Sequence, residues 1–599
     1  MSTAILTGRP VPGSPLEDDL RTLGFTVRTP GDPGALATEL GAVPPGLRIA
    51  VVDPRFTGHL HALRLGLTDP RFPAAAVPGA LTVQPQAREE LARLLAAGPE
   101  AGTPADSLPD RLAARLEADG TPVHRPELGA LVAAVPATPA ARAEAETAVA
   151  AVDDEDVRLR SAVKSRDGFF TTHFVSPYSR YLARWCARRG LTPNQVTTAS
   201  LLTALLAAGC AATGTRAGFA AAGLLLLFSF VLDCADGQLA RYALRYSTLG
   251  AWLDATFDRA KEYAFYAGLA LGAARGGDDV WALALAAMVL QTCRHIVDFS
   301  FTEADQDSPG SGTSRAAALS GRLDAVGWTV WLRRMIVLPI GERWALIAVL
   351  TALTTPRVTL VVLLVAGGFA ACYTTAGRLL RSVRRPPRTE RSARALAGLA
   401  DNGPLAALAA RPAARRRGAA GAPLWALAGT TVLLGCVFLL PGGAGGWAAV
   451  AAAAVYALCA GRAAAAPLTG PVDWLLPPLF RAGEYLTVLG LALHSGAPGA
   501  LPAAFGLVAA SAYHHYDTVY RLRGGSGAPP RRLVLAAGGH EGRTLVVTAA
   551  AALWATGQGF TLALWVLTGA LALLVLTESI RFWVSSQAPA VHDETGEPQ

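Results

Sequence analysis

Apolar runs are short at the front of this chain and helix-length through the rest of it. Over residues 1–136 the runs AIL at 4–6, FTV at 25–27, IAVV at 49–52 and AAAV at 74–77 alternate with the helical patterns PLEDDLRTL, GALATEL and QAREELARLLAA. That rhythm predicts a soluble α/β domain, a parallel sheet with crossover helices. Residues 137–163 are charged and Ala-rich and predict a helical linker. Six apolar segments follow at about 195–213, 217–236, 249–272, 279–301, 342–355 and 357–377, then six more at about 422–440, 446–463, 474–494, 501–519, 543–557 and 560–579. Segments of this kind predict all-α polytopic membrane domains. The expected fold class is therefore multi-domain: a soluble α/β domain, Rossmann-like or nucleotidyltransferase-like, followed by two membrane domains at 164–384 and 422–583. An Arg/Pro-rich cytosolic linker at 385–421 is expected between them, and a disordered tail at 584–599.

Composition narrows the function classes. Of 599 residues, 52% are hydrophobic and 16% charged, with a net charge of +8. Arginine on loops supplies that charge, which suits anionic headgroups and substrates better than nucleic acid. No aromatic-basic nucleic-acid module is visible. The seven cysteines are scattered without a C-x-x-C pair, so neither zinc nor a disulfide framework is indicated. No basic start precedes an apolar core at the N-terminus, so the first spanning helix is expected to direct insertion. Arginines alternate by side along the first six segments. The positive-inside rule then predicts a cell-membrane protein with both termini and the loop after the second segment in the cytoplasm.

Candidate chemistry concentrates at that loop. Asp233 and Asp236 stand three apart, and Asp254 and Asp258 four apart, so on helices each pair shares a face. Carboxylates at a membrane edge are costly and read as functional. Four together repel one another unless a cation fills them, and oxygen ligands without His or Cys suit Mg²⁺ or Mn²⁺. The full pattern is Asp233-x-x-Asp236-Gly237-x-x-Ala240-Arg241, eight residues, then Gly250-x-x-x-Asp254-x-x-x-Asp258. It resembles the signature of the CDP-alcohol phosphotransferases at every fixed position.

The resemblance implies transfer of a phosphoalcohol from a CDP-alcohol to an acceptor hydroxyl with release of CMP. It implies two divalent ions on Asp233, Asp236, Asp254 and Asp258, with Asp258 also the general base. It implies CDP contacts at Asn194, Gly237, Ala240, Arg241 and Gly250: small residues for close approach, Arg241 on phosphate or carboxylate, and Gly250 where the two motif helices approach. Family members that take a phosphorylated inositol bind the acceptor phosphate with basic residues after the fourth helix, which here implies Arg315, Arg322, Arg333, Arg334 and Arg343. A positive-inside loop on lipid headgroups would carry the same arginines. The run Lys164-x-x-Asp167-Gly-Phe-Phe before the first segment resembles inositol-phosphate-using members, and its aromatic-basic continuation to residue 189 predicts an interfacial amphipathic helix. The donor expected is CDP-diacylglycerol or a CDP-inositol type, the acceptor a polar or lipid alcohol, and the product a phospholipid or inositol phosphodiester. Some relatives carry an N-terminal cytidylyltransferase. Here LTGRPVPGSP lacks the spacing of its glycine-rich phosphate loop, so a degenerate or regulatory domain is expected, with Asp53 a strand-end cap or a metal ligand.

The second membrane domain reads as a degenerate repeat. LFRAGEYLTVLGLAL (479–493) parallels TFDRAKEYAFYAGLAL (256–271), His515 parallels His295, and HEGRTLVVTAAAAL parallels IGERWALIAVLTAL. Phe480 and Leu476 stand where Asp258 and Asp254 would, so the copy has no metal site. Family members are commonly homodimers, a contact the appended half could replace or block. The alternative reading is a non-catalytic lipid-binding or transport protein with a vestigial motif.

Overall fold

The computed structural model describes residues 2–30, 36–44, 47–69, 72–96, 107–164, 167–243, 245, 247–305, 337–383, 388–413, 421–440, 446–524, 526–554 and 558–585. Arg315, Arg322, Arg333 and Arg334 and the tail beyond 585 lie outside them.

The N-terminal domain is built on strands β1 (Ser2–Leu6), β2 (Phe25–Arg28), β3 (Ile49–Val52), β4 (Thr57–Gly58), β5 (Ala74–Val77), β6 (Ala80–Val83), β7 (Val123–His124) and β8 (Ala133–Ala134). Six of them form one sheet in the order β2-β1-β3-β6-β5-β7, and β4 pairs with β8 apart from it. The four predicted runs are all strands. The sheet is mixed rather than parallel, because β6 runs antiparallel to both β3 and β5. Gly79, at φ +81°, turns the chain back after β5, a conformation open to glycine at little cost. Helices α1 (Leu16–Thr22), α2 (Leu36–Gly41), α3 (Leu60–Leu67), α4 (Arg88–Ala96) and α5 (Leu108–Ala118) cover the sheet. Val51 joins one buried cluster and Val52 another, so both faces of β3 are packed, which is why IAVV reads as an unbroken apolar run. Asp53 at the end of β3 is claimed by Arg55, whose Nε and Nη2 donate to its carboxylate at 3.0 and 2.9 Å, as a turn residue would be. A pocket beside the first loop measures about 170 Å³ and is closed on one side by Arg142 and Glu146. Sites for drug-sized ligands usually exceed about 300 Å³.

The linker is two helices, α6 (Pro139–Ala150) and α7 (Asp154–Ser161). The membrane part opens with α8 (Ser176–Arg188), whose buried face is Ser176, Ser179, Ala183 and Cys186. Tyr178, Tyr181 and Trp185 stay exposed, with Arg180, Arg184 and Arg189 lying over the Tyr181 and Trp185 rings. That aromatic-basic face suits the water–lipid boundary. The first bundle comprises α9 (Pro193–Ala212), α10 (Arg216–Ala243), α11 (Thr248–Arg275), α12 (Trp281–Asp305), α13 (Ile340–Leu353) and α14 (Pro356–Ser382). The 385–421 stretch is not only linker: it contains the packed helices α15 (Glu390–Ala400) and α16 (Pro404–Ala413). Ala393, Leu396 and Ala400 make a buried stripe at helical spacing inside the arginine-rich composition. The second bundle comprises α17 (Ala422–Leu439), α18 (Trp447–Ala463), α19 (Leu476–Ser495), α20 (Ala500–Arg523), a short α21 (Arg531–Ala536), α22 (Gly539–Leu553) and α23 (Gly559–Ser585).

Among the described residues six helices are long and apolar enough to cross a membrane: α9, α10, α12, α14, α17 and α23. Leu202, Leu224, Phe369, Leu562 and Leu573 stand exposed on them, an apolar surface that water would not tolerate at this extent. The remaining predicted segments are helices too, but shorter or more polar. One buried core cluster runs through both bundles, from Phe219 and Tyr266 to Tyr485 and Val547.

Candidate active site

The site forms where α9, α10 and α11 meet. Thr192 starts α9 with a capping box: its hydroxyl accepts from Gln195 N at 3.3 Å and the Gln195 side chain accepts from Thr192 N at 2.9 Å. Pro193 fills the first helical position, where no N–H is needed. This fixes the first turn of α9 and aims Thr197 at α10, where its Oγ1 donates to Asp236 Oδ2 at 2.5 Å. The break between α10 and α11 is closed by Ser247, whose Oγ accepts from Gly250 N at 2.9 Å. The two helices then carry their aspartates toward each other.

Asp233, Asp236 and Asp254 each offer a carboxylate oxygen within 4.8 Å of the others. Oxygens around one Mg²⁺ lie at most about 4.2 Å apart, so this set needs little adjustment to take a hard divalent ion, and it contains no soft ligand that would favour another metal. Asp258 stands beside the group. Lys261, 1% exposed, sets its ammonium on Asp233 and reaches Asp258 Oδ1 at 3.2 Å, so a protein cation neutralises this flank of the cluster. Neither Lys261 nor Thr197 stood out as site chemistry in the sequence. The signal for Lys261 was its place three residues after Asp258, on the same helix face.

The small residues are explained by what they touch. A Cβ on Gly250 would lie 2.7 Å from Asn194 Oδ1 and 2.7 Å from Ser247 Oγ. Gly250 therefore admits the start of α9, whereas the resemblance implied an approach of the two motif helices. A Cβ on Gly237 would lie 3.5 Å from the Arg241 guanidinium, and Ala240 is buried beside it. Arg241 turns toward the linker, its Nε donating to Ala162 O at 2.6 Å. The next residue, Tyr242, donates to Glu155 of α7 at 3.1 Å. Arg343 of α13 is 1% exposed and ion-pairs Glu262 at 3.2 Å, so it faces into the bundle rather than toward headgroups. The Asp167-Gly-Phe-Phe elbow is held by the same helix, Glu342 accepting from Phe170 N at 3.3 Å. His295 and Asp298 are bundle residues: His295 meets Arg259 and Asp298 pairs with Arg378.

Residues 190–356 match the CDP-alcohol phosphatidyltransferase family, and residues 390–599 match a family of unknown function (DUF5941). The chain is 33% identical over 141 residues to a phosphatidylinositol phosphate synthase of Streptomyces avermitilis, covering 24% of this chain and 54% of that protein. It is 32% identical over 114 residues to a bifunctional IPC transferase and DIPP synthase of Aquifex aeolicus, covering 19% and 26%. It is 35% identical over 91 residues to an archaetidylinositol phosphate synthase of Pyrococcus horikoshii, covering 15% and 47%. The matches span between a quarter and about half the length of these relatives.

Proposed function

We propose, from the premise that residues 190–356 are a CDP-alcohol phosphatidyltransferase domain, that the chain transfers a phosphoalcohol from a CDP-alcohol to an acceptor hydroxyl, releasing CMP. The observation that carries this reading is the convergence of Asp233, Asp236 and Asp254 within 4.8 Å, from two helices, with Asp258 one turn beyond. Asp233, Asp236 and Asp254 would hold Mg²⁺ or Mn²⁺, with a second ion shared by Asp258. When bound, such ions supply positive charge to the pyrophosphate and to the departing CMP.

The protein's own groups do the rest. Thr197 holds Asp236 in one rotamer, so the ligand oxygens are set before substrate arrives. Asn194 and Gly250 shape the wall for the cytidine half. Asp258 takes the proton of the acceptor hydroxyl as its oxygen bonds to the alcohol-bearing phosphorus and the bond from that phosphorus to CMP breaks. Lys261, 3.2 Å from Asp258, holds that carboxylate in place. Inositol-type substrates are favoured, since two relatives carry inositol activities in their names and the Asp167-Gly-Phe-Phe elbow is present here. CDP-diacylglycerol with an inositol phosphate is the first pair to try, and CDP-inositol the second. Arg315, Arg322, Arg333 and Arg334 remain the candidates for the acceptor phosphate. The arginine distribution supports a cytoplasmic site with cytoplasmic termini, on the side where CDP-linked donors are found. The N-terminal domain, without a phosphate loop and with Asp53 tied to Arg55, is proposed as a non-catalytic nucleotidyltransferase-like domain.

The test is CMP release by the full chain in liposomes, with each donor and acceptor, with and without Mg²⁺. Metal-dependent release that Asp258→Asn abolishes supports transfer. No release from any pair in wild type would favour the lipid-binding alternative.

A further inference from the structure

The second bundle repeats the neighbour relations of the first. In the first, α9 packs on α10 and α11, α10 on α13, and α12 on α14. In the second, α17 packs on α18 and α19, α18 on α22, and α20 on α23. The helix before each bundle follows suit, α8 lying on α10 and α16 on α18. Side-chain landmarks recur at the matching places. Arg343 pairs with Glu262 at 3.2 Å, and Arg543 with Glu484 at 2.6 Å. Glu342 accepts from the elbow backbone at Phe170, and Glu541, one position earlier in the alignment, takes the same part at Gly403 N at 3.2 Å. The sequence Arg259-Ala-Lys-Glu-Tyr263 becomes Arg481-Ala-Gly-Glu-Tyr485. Within it Lys261 is replaced by Gly483, and just before it Asp258 by Phe480. The carboxylate and the cation that serves it have gone together, while the frame remains.

The two bundles meet through corresponding helices: α12 packs on α19 and α20, and α11 on α20. Like helices facing like helices is the arrangement of a two-fold dimer, made here within one chain. Across this face the second bundle sends Tyr516 toward the aspartate helix. Its hydroxyl lies 2.6 Å from His295 Nδ1, and the Arg259 guanidinium sits over its ring at 5.5 Å. Arg259 Nη1 reaches the same histidine nitrogen at 3.0 Å and Glu262 at 3.3 Å. Arg259 follows Asp258 directly. The rotation of α11 that presents Asp254 and Asp258 is thus set in part by a buried cation held from the other bundle.

We infer that the C-terminal bundle is a built-in second copy that has lost its carboxylates, and that its Tyr516 is a positioning residue for the aspartate helix. The inference rests on the reading of the aspartates as a metal-dependent transfer site. Removing a group that orients a ligand typically weakens metal binding about 10–100-fold.

The experiment uses purified full chain in nanodiscs, with Mn²⁺ binding followed by electron paramagnetic resonance and CMP release measured beside it. Tyr516→Leu should weaken Mn²⁺ binding about tenfold and raise the metal half-saturation of CMP release in parallel. Tyr516→Phe, which keeps the ring under Arg259, should fall between it and wild type. Phe505→Leu is the control, since Phe505 packs edge-on against Trp281 across the same face at 5.7 Å. It should lower Tm and leave the Mn²⁺ curve unchanged. Mn²⁺ curves for both Tyr516 variants that superimpose on wild type would overturn the positioning role. Light scattering should give one 62.0 kDa chain per particle. A dimer would contradict the built-in copy. Normal Mn²⁺ binding without CMP release from any donor would sink the transfer reading instead, and the Mn²⁺ curves would still decide Tyr516.

Discussion

The Lys261 ammonium rests on the Asp233 carboxylate, with Lys261 buried and the Asp233 side chain 15% exposed. The same ammonium reaches Asp258 at 3.2 Å, so it serves two of the four carboxylates. Removing one partner of such a buried pair typically costs about 3–5 kcal/mol, because the remaining charge is left uncompensated. Lys261→Met should lower Tm strongly in EDTA and much less in millimolar Mg²⁺, where the ion replaces part of the missing charge. The measurement is a pair of melting curves of the purified variant. An equal loss in both buffers would show that the cluster does not take the metal.

Gly250 leaves room for Asn194, whose Oδ1 would be 2.7 Å from any Cβ placed there. Gly250→Ala must push the start of α9 away or break the Ser247 cap. Overpacking of this kind costs about 1–3 kcal/mol. The expected result is a lower Tm and a raised KM for the CDP-alcohol. Asn194→Ala in the same chain should restore much of the Tm but not the KM. Full recovery of both would remove Asn194 from the donor site.

His61 of α3 lies buried in the N-terminal domain, and among the described residues neither ring nitrogen has a hydrogen-bond partner. Burial first, then the nearby Arg158 and Arg64, push its pKa down to about 4, against an opposing pull from Asp154. The unfolded chain binds a proton near the ordinary value of 6.5, whereas the folded domain resists it until about 4. Stability from this group is complete above the unfolded value and is lost as pH falls through that window, by about 1–3 kcal/mol. Protection from proteolysis within β3 should drop between pH 6.5 and 4 in wild type. His61→Leu should flatten that slope. An unchanged slope would contradict the assignment.

The sequence made the aspartate cluster legible because a helix face converts spacing directly into proximity. Asp233 with Asp236, and Asp254, needed only two helices and a turn. It could not say that Gly250 faces α9 rather than α10, because which helix packs where is a tertiary choice. The resemblance makes Arg343 an acceptor-phosphate candidate, yet it turns inward because Glu262 is there to receive it. The hairpin strand β6 was announced only by Pro78-Gly79, a weak signal beside four strong apolar runs. Helices α15 and α16 were hidden by arginine content, although Leu396 and Ala400 already carried helical spacing. The repeat in the second bundle was visible in Arg481, Glu484 and Arg543, and its meaning only in the pairing of Glu484 with Arg543.

In the proposed reading Asp233, Asp236, Asp254 and Asp258 form one metal-dependent transfer site. Initial rates of CMP release from CDP-diacylglycerol or CDP-inositol with inositol phosphate, in Mg²⁺ and in EDTA, test it most directly. Wild type should turn over only with the metal. Asp258→Asn should lose about 10²–10⁴-fold in kcat as the general base is removed. Wild-type release that is unaffected by EDTA, or an Asp258→Asn variant as active as wild type, would rule out a metal-dependent site with Asp258 as its base.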